Sequence, residues 1–276
     1  MLILAATPIG NISDASPRLV EHLQASSVIA AEDTRSVLKL ANALGIRLNA
    51  KLISLHEHNE SERLEQLVAL ASDGDVLVVS DAGMPTVSDP GFQLVRACVE
   101  AEVAVTVIPG PSAVLAALAV SGLPTDRFTF EGFLPRKSGD RKRAFSQLLA
   151  ETRTMVFFES PHRILESLQD AAAVFGPTRQ ATVSRELTKK FEHTERGALA
   201  DLIEWAKGEP KGEMVLVIAG GVAKVAEASD LVQQVLQLAE EGLGLKAAVA
   251  EIAAANSASK SELYSLALEA RKTEPR

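Results

Sequence analysis

The chain has 276 residues, a hydrophobic fraction of 47% and a formal net charge of −8, and it contains one cysteine, Cys98. Its length and apolar content suit about two globular domains, and the single cysteine excludes a disulfide framework and a cysteine-based zinc site. The negative charge argues against a protein that coats nucleic acid non-specifically, because such binding depends on phosphate neutralisation by lysine and arginine.

The chain opens with "MLILAATPIG", which lacks a basic segment and breaks at Pro8 after few apolar residues. This pattern differs from a secretory signal peptide, and no later apolar run approaches the length of a membrane span. We therefore expect a soluble cytoplasmic protein with no membrane partner.

Short apolar runs alternate with helical patterns in the first part of the chain. The runs are "LILAA", "SVIAA", "KLISL", "DVLVV" and "VAVTVIP". This alternation predicts an α/β domain over residues 1–115 with a mainly parallel sheet. Asp33 and Asp89 are expected to cap helices, and Pro111 and Gly122 to lie at the start and end of another.

The rhythm changes after Pro124. Five strand candidates follow, "RFTFEGFLP", "TMVFF", "QATVSREL", "FEHTERG" and "EMVLVIAG", with helices expected at 140–150, 161–174 and 198–206. Two successive strands near 180–196 suggest an antiparallel pair, so residues 116–225 are predicted to form a second α/β domain with a mixed sheet. Residues 226–276 are predicted to form a helical, helix-turn-helix-like tail, with Ser259 and Glu262 as a capping box and Tyr264 buried on an apolar helix face.

Polar loops follow each predicted strand of the first domain. They are "ATPIGN", "AEDTR", "HEHNE", "SDAGMPTVSDPG" and "PGPSA". Open α/β sheets bind ligands at this edge, and loops rich in glycine and proline but free of lysine favour a neutral or zwitterionic cofactor held by backbone groups. Tight turns without a ligand are the alternative reading. No P-loop motif occurs, and "GLGLKA" follows a predicted helix, so it reads as a turn between helices.

Three charged or titratable clusters stand outside this pattern. "PRKSGDRKR", residues 135–143, holds five basic residues and one acidic residue and is either a solvated loop or a polyanion site. In "ESPHR", Ser160 and Pro161 suit a helix start, but His162 and Arg163 would carry positive charge in the first turn, which suggests an anionic partner or acidic neighbours elsewhere. His56 and His58 lack an evident third ligand, so no metal is expected.

Taken in order, "ATPIGN", "AEDTR", "HEHNE", "SDAGMPTVSDPG", "IPGPSA", "GFLPRK" and "ESPHR" resemble the tetrapyrrole methylase superfamily over nearly the whole chain. The resemblance implies two α/β domains with S-adenosyl-L-methionine in the cleft between them, followed here by the small C-terminal helical region. Within the superfamily, the motifs are similar to those of the branch that methylates a cytidine ribose 2'-oxygen in 16S ribosomal RNA of the small subunit. The resemblance also implies a homodimer.

The resemblance places the cofactor against main chain in the strand-end loops of the first domain and against two sites of the second. Tetrapyrrole-modifying members usually carry Gly-Asp-Pro in the fourth loop, whereas this chain has "GMP" there and an aspartate earlier. The expected cofactor-binding residues are Pro8, Gly10, Asp81, Ala82, Gly83, Met84, Val87, Ser112, Ala113, Glu159 and Leu187.

A ribose hydroxyl benefits from a general base. The expected catalytic residues are Glu32, Asp33, Arg35 and His56, with His58 as a rival base; a helix cap for Asp33 and a surface cation for Arg35 are the alternatives. RNA would meet basic side chains around the cleft, namely Arg136, Lys137, Arg141, Lys142, Arg143, His162 and Arg163.

Two other functions remain open at this point. The same fold methylates tetrapyrroles or modified protein residues, and a non-catalytic RNA-binding assembly factor could retain the cofactor pocket. The helical tail is either a further RNA contact or a packing element.

Overall fold

The computed structural model describes residues 1–221, 228–256 and 258–273. The chain forms two compact units, Met1–Gly221 and Val222–Arg276. The predicted boundary at 225/226 lies outside the described residues. The predicted boundary at 115/116 falls inside a helix, Ala113–Ser121, and stays a prediction.

The first sheet has five parallel strands in the order β3-β2-β4-β1-β5, as the sequence pattern predicts. The strands are β1 (Leu2–Ala5), β2 (Val28–Ala31), β3 (Lys51–Ser54), β4 (Val76–Val79) and β5 (Val105–Ile108). The helices between and after them are α1 (Pro17–Ala25), α2 (Thr34–Ala43), α3 (Glu60–Asp73), α4 (Phe92–Glu100) and α5 (Ala113–Ser121).

Strand β4 lies at the centre of this sheet and is buried along its whole length. Successive side chains of a strand point to opposite faces. Leu77 and Val79 accordingly pack in the core that contains Leu19 of α1, while Val76 and Val78 pack in the core on the other face. Both faces of the sheet are therefore covered, and its carboxyl-terminal edge is where polar loops gather.

The second sheet is mixed, with the order β6-β7-β10-β8-β9. Its strands are β6 (Phe128–Phe133), β7 (Thr154–Glu159), β8 (Gln180–Arg185), β9 (His193–Ala198) and β10 (Met214–Ile218), and its helices are α6 (Ser138–Gln147), α7 (Ile164–Phe175) and α8 (Leu199–Ala206). Strands β6 and β7 are parallel, and the remaining pairs, including the predicted β8–β9 pair, are antiparallel.

Helix α5 joins the two sheets. Its residues Val114, Ala117 and Leu118 are buried in one core with Val156 and Val217 of the second sheet. The helix is apolar on nearly all sides, although Leu115 and Val120 are 56% and 38% exposed. Because α5 follows β5 directly, the second sheet is held near the edge where the strand-end loops lie.

Two predicted helix starts differ from the structure. Helix α4 begins at Phe92, with Gly91 rather than Asp89 at its N-cap, and Gly91 has a φ of 118°, which suits glycine. Helix α7 begins at Ile164, so Ser160 does not cap it; the Ser160 hydroxyl accepts a hydrogen bond from the His162 amide in the preceding turn. The predicted cap at Asp33 is confirmed, since its side chain accepts a hydrogen bond from the backbone of α2.

The second unit contains three described helices, α9 (Ala228–Glu240), α10 (Leu245–Ala255) and α11 (Lys260–Thr273), around a small apolar core. Gly244 caps α10, so "GLGLKA" is a turn between helices as predicted. The Ser259 hydroxyl accepts a hydrogen bond from the Glu262 amide, which is one half of the predicted capping box. Tyr264 is 36% exposed, so the prediction that it is buried is wrong. Across the described residues, no helix has both the length and the apolar character needed to cross a membrane.

Candidate active site

The unit Met1–Gly221 has a first half, built on the first sheet, and a second half, built on the second sheet. A cavity of about 530 Å³ lies between the two sheets, and residues of both halves line it. The first half contributes Ile9, Glu32, Asp81, Ala82, Ser88, Asp89 and Ala113. The second half contributes Phe133, Phe158, Glu159, Ser160, Pro161, Leu187, Glu213, Met214 and Val215. This volume falls within the range of roughly 300–1,000 Å³ that is usual for small-molecule sites.

The loops after β1 and β4 are joined by backbone hydrogen bonds. The Thr7 amide donates to the Gly83 carbonyl at 2.9 Å, and the Gly83 amide donates to the Thr7 carbonyl at 3.2 Å. The Ser80 hydroxyl also donates to the Gly83 carbonyl. Gly83 has a φ of 90°, which favours glycine, so this residue is needed for the bridge that shapes the wall of the cavity.

The same loop holds two residues in a strained backbone conformation. Thr86 has a φ of 77° and Ser88 a φ of 60°, although neither is glycine. Such positions cost on the order of 1–3 kcal/mol each and are common at functional sites. Ser88 and its neighbour Asp89 both line the cavity.

Five of the expected cofactor-binding residues lie on the cavity wall: Asp81, Ala82, Ala113, Glu159 and Leu187. The other six lie in the same loops but not among the lining residues: Pro8, Gly10, Gly83, Met84, Val87 and Ser112. Ser112 caps α5, and its hydroxyl accepts a hydrogen bond from the Leu115 amide.

Gly10 brings the β1 loop against the loop that follows β8. A Cβ atom at this position would lie 2.5 Å from Cγ of Lys189 and 2.8 Å from Oγ1 of Thr188. Next to it, the Asn11 amide donates to Oγ1 of Thr188 at 3.0 Å. The absence of a side chain at Gly10 therefore permits a direct contact between the two halves beside the cavity.

Three of the five carboxylates on the cavity wall come from the first sheet's loops: Glu32, Asp81 and Asp89. Burial and then the charge of Glu32 raise the pKa of Asp89 to about 6. Burial and then the charge of Asp81 raise the pKa of Glu32. The cluster is consequently able to accept a proton near neutral pH, as a general base must.

The other expected catalytic residues are not among the lining residues. Asp33 forms an ion pair with Arg35, whose Nη2 lies 2.6 Å from Oδ2 of the carboxylate, and hydrogen bonds from Arg35 lower the pKa of Asp33 to about 2. His56 lies beside His58, with ring centroids 6.1 Å apart. Asp33 is therefore a helix cap and an ion-pair partner, and its low basicity is unsuited to proton removal.

Glu159 is buried on the wall, and both of its carboxylate oxygens accept hydrogen bonds. Its Oε1 lies 2.6 Å from Nη2 of Arg163 and accepts from the Ser160 amide, while its Oε2 accepts from the Ser167 hydroxyl at 2.5 Å. Arg163 also donates to the Leu134 carbonyl. Arg163 is thus paired with an acidic neighbour, and the sequence-based expectation that it faces an anionic ligand is not needed to explain its position.

The basic residues expected to bind RNA divide into two groups. Those exposed are Arg136, Lys137, Lys142, Arg143 and His162. Arg141, by contrast, has a fully buried side chain whose Nε and Nη2 both lie 2.7 Å from Oδ2 of Asp170. The prediction that Arg141 contacts RNA is therefore wrong: every face of this guanidinium is covered by protein.

Sequence reasoning missed several lining residues. The sequence pattern predicts Asp89 as a helix cap, whereas the structure places it on the cavity wall within the glycine-rich loop. Glu213, Met214 and Val215 lie at the start of β10, and only the antiparallel pairing of β10 with β7 and β8 brings that end to the cavity. Within the described residues, no group of three or more His, Cys, Asp or Glu side chains is arranged to hold a metal ion.

Residues 1–203 match the family model described as "Tetrapyrrole (Corrin/Porphyrin) Methylases", and the chain belongs to this family. It is 48% identical over 273 residues, 98% of this chain and 95% of the relative, to "Ribosomal RNA small subunit methyltransferase I" of Mycobacterium tuberculosis (strain CDC 1551 / Oshkosh). It is 44% identical over 272 residues, 97% of this chain and 94% of the relative, to the protein of the same name from Escherichia coli O157:H7.

The solved structures that share the fold include uroporphyrin-III C-methyltransferase from Thermus thermophilus complexed with S-adenyl homocysteine. The TM-score is 0.52 at 18% identity, and the match covers 79% of this chain and 96% of that chain. At this identity the similarity establishes the fold of two α/β halves.

Proposed function

We propose that this protein uses S-adenosyl-L-methionine to methylate the ribose 2'-oxygen of a cytidine in 16S ribosomal RNA of the small subunit. The observation that carries the proposal is the full-length identity of 44–48% to the two relatives described above. The cavity between the sheets supports it, because it has the volume of a cofactor site and a wall that combines apolar side chains with carboxylates.

The residues present suit this cofactor. Ile9, Leu187 and Val215 offer an apolar surface for a purine ring, and the carboxylates offer compensation for a positively charged sulfur. When bound, the cofactor supplies a methyl group on a sulfonium. The residues that we assign to its binding are Pro8, Gly10, Asp81, Ala82, Gly83, Met84, Val87, Ser112, Ala113, Glu159 and Leu187.

Methyl transfer requires that the ribose oxygen be held in line with the methyl carbon and that its proton be removed. We assign proton removal to Asp89, whose pKa is raised first by burial and then by the charge of the neighbouring Glu32 carboxylate. The Asp89 carboxylate would accept the hydroxyl proton as the ribose oxygen takes up the methyl group that the bound cofactor would supply. Asp33 and Arg35 then act only as the helix cap and its partner, and His56 has no part in the step.

The RNA backbone would be held by the exposed cations beside the cavity. Arg136 and Lys137 make no ion pair among the described residues, whereas Lys142 and Arg143 lie within 3.5 Å of acidic side chains on α6 or α7. Free cations gain more from phosphate contact, since they have no internal partner to give up. Arg136, Lys137 and His162 are thus the preferred contacts, with Lys142 and Arg143 secondary.

A homodimer and a cytoplasmic location belong to the same proposal. Strand β5 is an edge strand with the Val107 side chain 46% exposed, which leaves an apolar position available to a second copy. Light scattering coupled to size exclusion tests this point: a dimer mass that falls to a monomer mass in Val107→Lys supports β5 as the interface.

The decisive experiment is transfer of tritium from labelled cofactor into small ribosomal subunits isolated from cells that lack the protein. We expect incorporation at one cytidine, mapped by primer extension, and none into uroporphyrinogen-type tetrapyrroles. Label in the tetrapyrrole instead would favour a methylase of that class, and cofactor binding without any transfer would favour a non-catalytic assembly factor.

Asp89→Asn should lower the rate of methyl transfer at least about 100-fold, whereas Asp33→Asn, the matched control outside the cavity wall, should retain most of that rate.

A further inference from the structure

Strand β6 contains an irregularity just before it reaches the cavity. Its pairing with β7 shifts register between Phe130 and Phe133, and Gly132 in between has a φ of 70°. In a regular strand, residues 130 and 133 would point to opposite faces. Here both rings contact the same ring, Phe158, at centroid distances of 4.9 and 5.3 Å. The bulge therefore turns Phe133 onto the face that carries the cavity.

Phe133 lines the cavity and yet is 61% exposed, while the rings of Phe130 and Phe158 beneath it are partly buried. Leaving a phenylalanine largely open to water forgoes part of the hydrophobic stabilisation that its burial would give. The bulge thus presents an aromatic face at the mouth of the site, where a regular strand would have turned it away.

The bulge also lies against the loop that carries the proposed base. A Cβ atom on Gly132 would stand 3.6 Å from Oγ of Ser88, the residue before Asp89. A planar group resting on Phe133 would therefore be close to the carboxylate cluster. A ribose attached to that group would reach the interior of the cavity.

Unpaired positive charge follows directly along the chain. Arg136 and Lys137 follow the buried Leu134, and both are exposed and make no ion pair among the described residues. His162 is also exposed, and it follows Ser160 and Pro161, which line the cavity. An open aromatic face flanked by cations is the arrangement that single-stranded RNA recognises, with the ring stacking on a base and the cations on phosphates.

We propose that Phe133 stacks on the base of the nucleotide that is methylated and so places its ribose at the cavity. The inference rests on the proposed function and names the residue that positions the substrate. Stacking of this kind is tolerant of base identity, so Phe133 would supply position and affinity, while the choice of cytidine falls to other contacts.

The test compares Phe133→Leu, which keeps an apolar side chain but removes the ring, with Phe133→Trp, which keeps a ring. The matched control is Phe92→Leu, because Phe92 is 66% exposed and does not line the cavity. With small ribosomal subunits as substrate, Phe133→Leu should lower kcat/KM at least about 10-fold, Phe133→Trp should stay near the parent value, and Phe92→Leu should be unchanged. Cofactor affinity, measured by calorimetry, should be the same in all four proteins.

Salt dependence separates stacking from charge. A stacking ring neutralises no phosphate and therefore contributes nothing to the counterions released when RNA binds. The slope of RNA affinity against salt concentration should thus be unchanged in Phe133→Leu and reduced in Arg136→Gln.

Equal kcat/KM in Phe133→Leu and the parent would overturn the inference while leaving the proposed function in place. A parallel loss of cofactor affinity would assign the ring to the cofactor, and a change in the mass of the assembly would assign it to a second copy. Absence of any transfer to RNA by the parent protein would overturn both proposals.

Discussion

The buried ion pair between Arg141 and Asp170 allows the packing of α6 against α7 to be tested by mutation. Replacing Arg141 by Met keeps most of the side-chain volume but leaves Asp170, which is 6% exposed, without its main cation. Breaking a buried pair in this way costs about 3–5 kcal/mol. Lys142, with Nζ 3.4 Å from Oδ1 of Asp170, retains part of the attraction, so we expect a loss near the lower end, about 3 kcal/mol.

The assay is urea denaturation followed by circular dichroism, supported by thermal unfolding, where about 3 kcal/mol corresponds to a decrease in Tm of about 6–12 °C for a chain of this size. Arg143→Met is the control, since Arg143 is 75% exposed and lies 3.5 Å from the exposed Asp140. It should cost less than about 1 kcal/mol. Adding Asp170→Asn to Arg141→Met should restore part of the loss. If Arg141→Met costs no more than Arg143→Met, the buried pair does not exist in solution.

Three further outcomes are expected. The methyl-transfer rate should rise with pH through about 6 as Asp89 loses its proton, and this inflection should vanish in Asp89→Asn. Burial raises the pKa of Asp89 above its value in the unfolded chain, so ionisation of this carboxyl group destabilises the fold. Asp89→Asn should therefore raise Tm at pH 8 but not at pH 4. Equal changes in Tm at the two pH values would contradict this reasoning. Gly220→Ala should lower Tm by several degrees, because the added Cβ atom would lie 2.0 Å from the Thr152 carbonyl oxygen. Gly139→Ala is the control and should be neutral or stabilising, because no atom lies within 4 Å of its Cβ position. Similar Tm values for the two variants would refute the close packing of Gly220 against Thr152.

Much of the site could be read from local sequence. The glycine-rich loop after β4, the polar strand ends and the cap at Asp33 were all predictable, because each depends on the conformational preferences of a few neighbouring residues. Strand alternation likewise predicted a parallel sheet followed by a mixed sheet. These features are set by backbone sterics and by the period of the apolar pattern.

The partners of charged residues could not be predicted in this way. Arg141 and Arg143 belong to one basic run, yet one is fully buried against Asp170 and the other extends into solvent. Arg163 contacts Glu159, four residues earlier, so that pair is local in the chain. The partner of Arg141 lies 29 residues away, and spacing along the chain does not predict such a pair because it depends on how α6 packs against α7.

The sequence by itself determined the order of strands and helices, the family pattern and the sheet edge at which the polar loops gather, because these follow from local preferences and from the rule that parallel strands end on the same side. Only the tertiary structure decided that Asp89 faces the cavity rather than a helix, that Phe133 is turned by a bulge toward the same space, and that Arg141 is buried. Each of these depends on contacts between residues that are not neighbours in the chain, such as the pairing of β6 with β7 and the packing of α6 against α7.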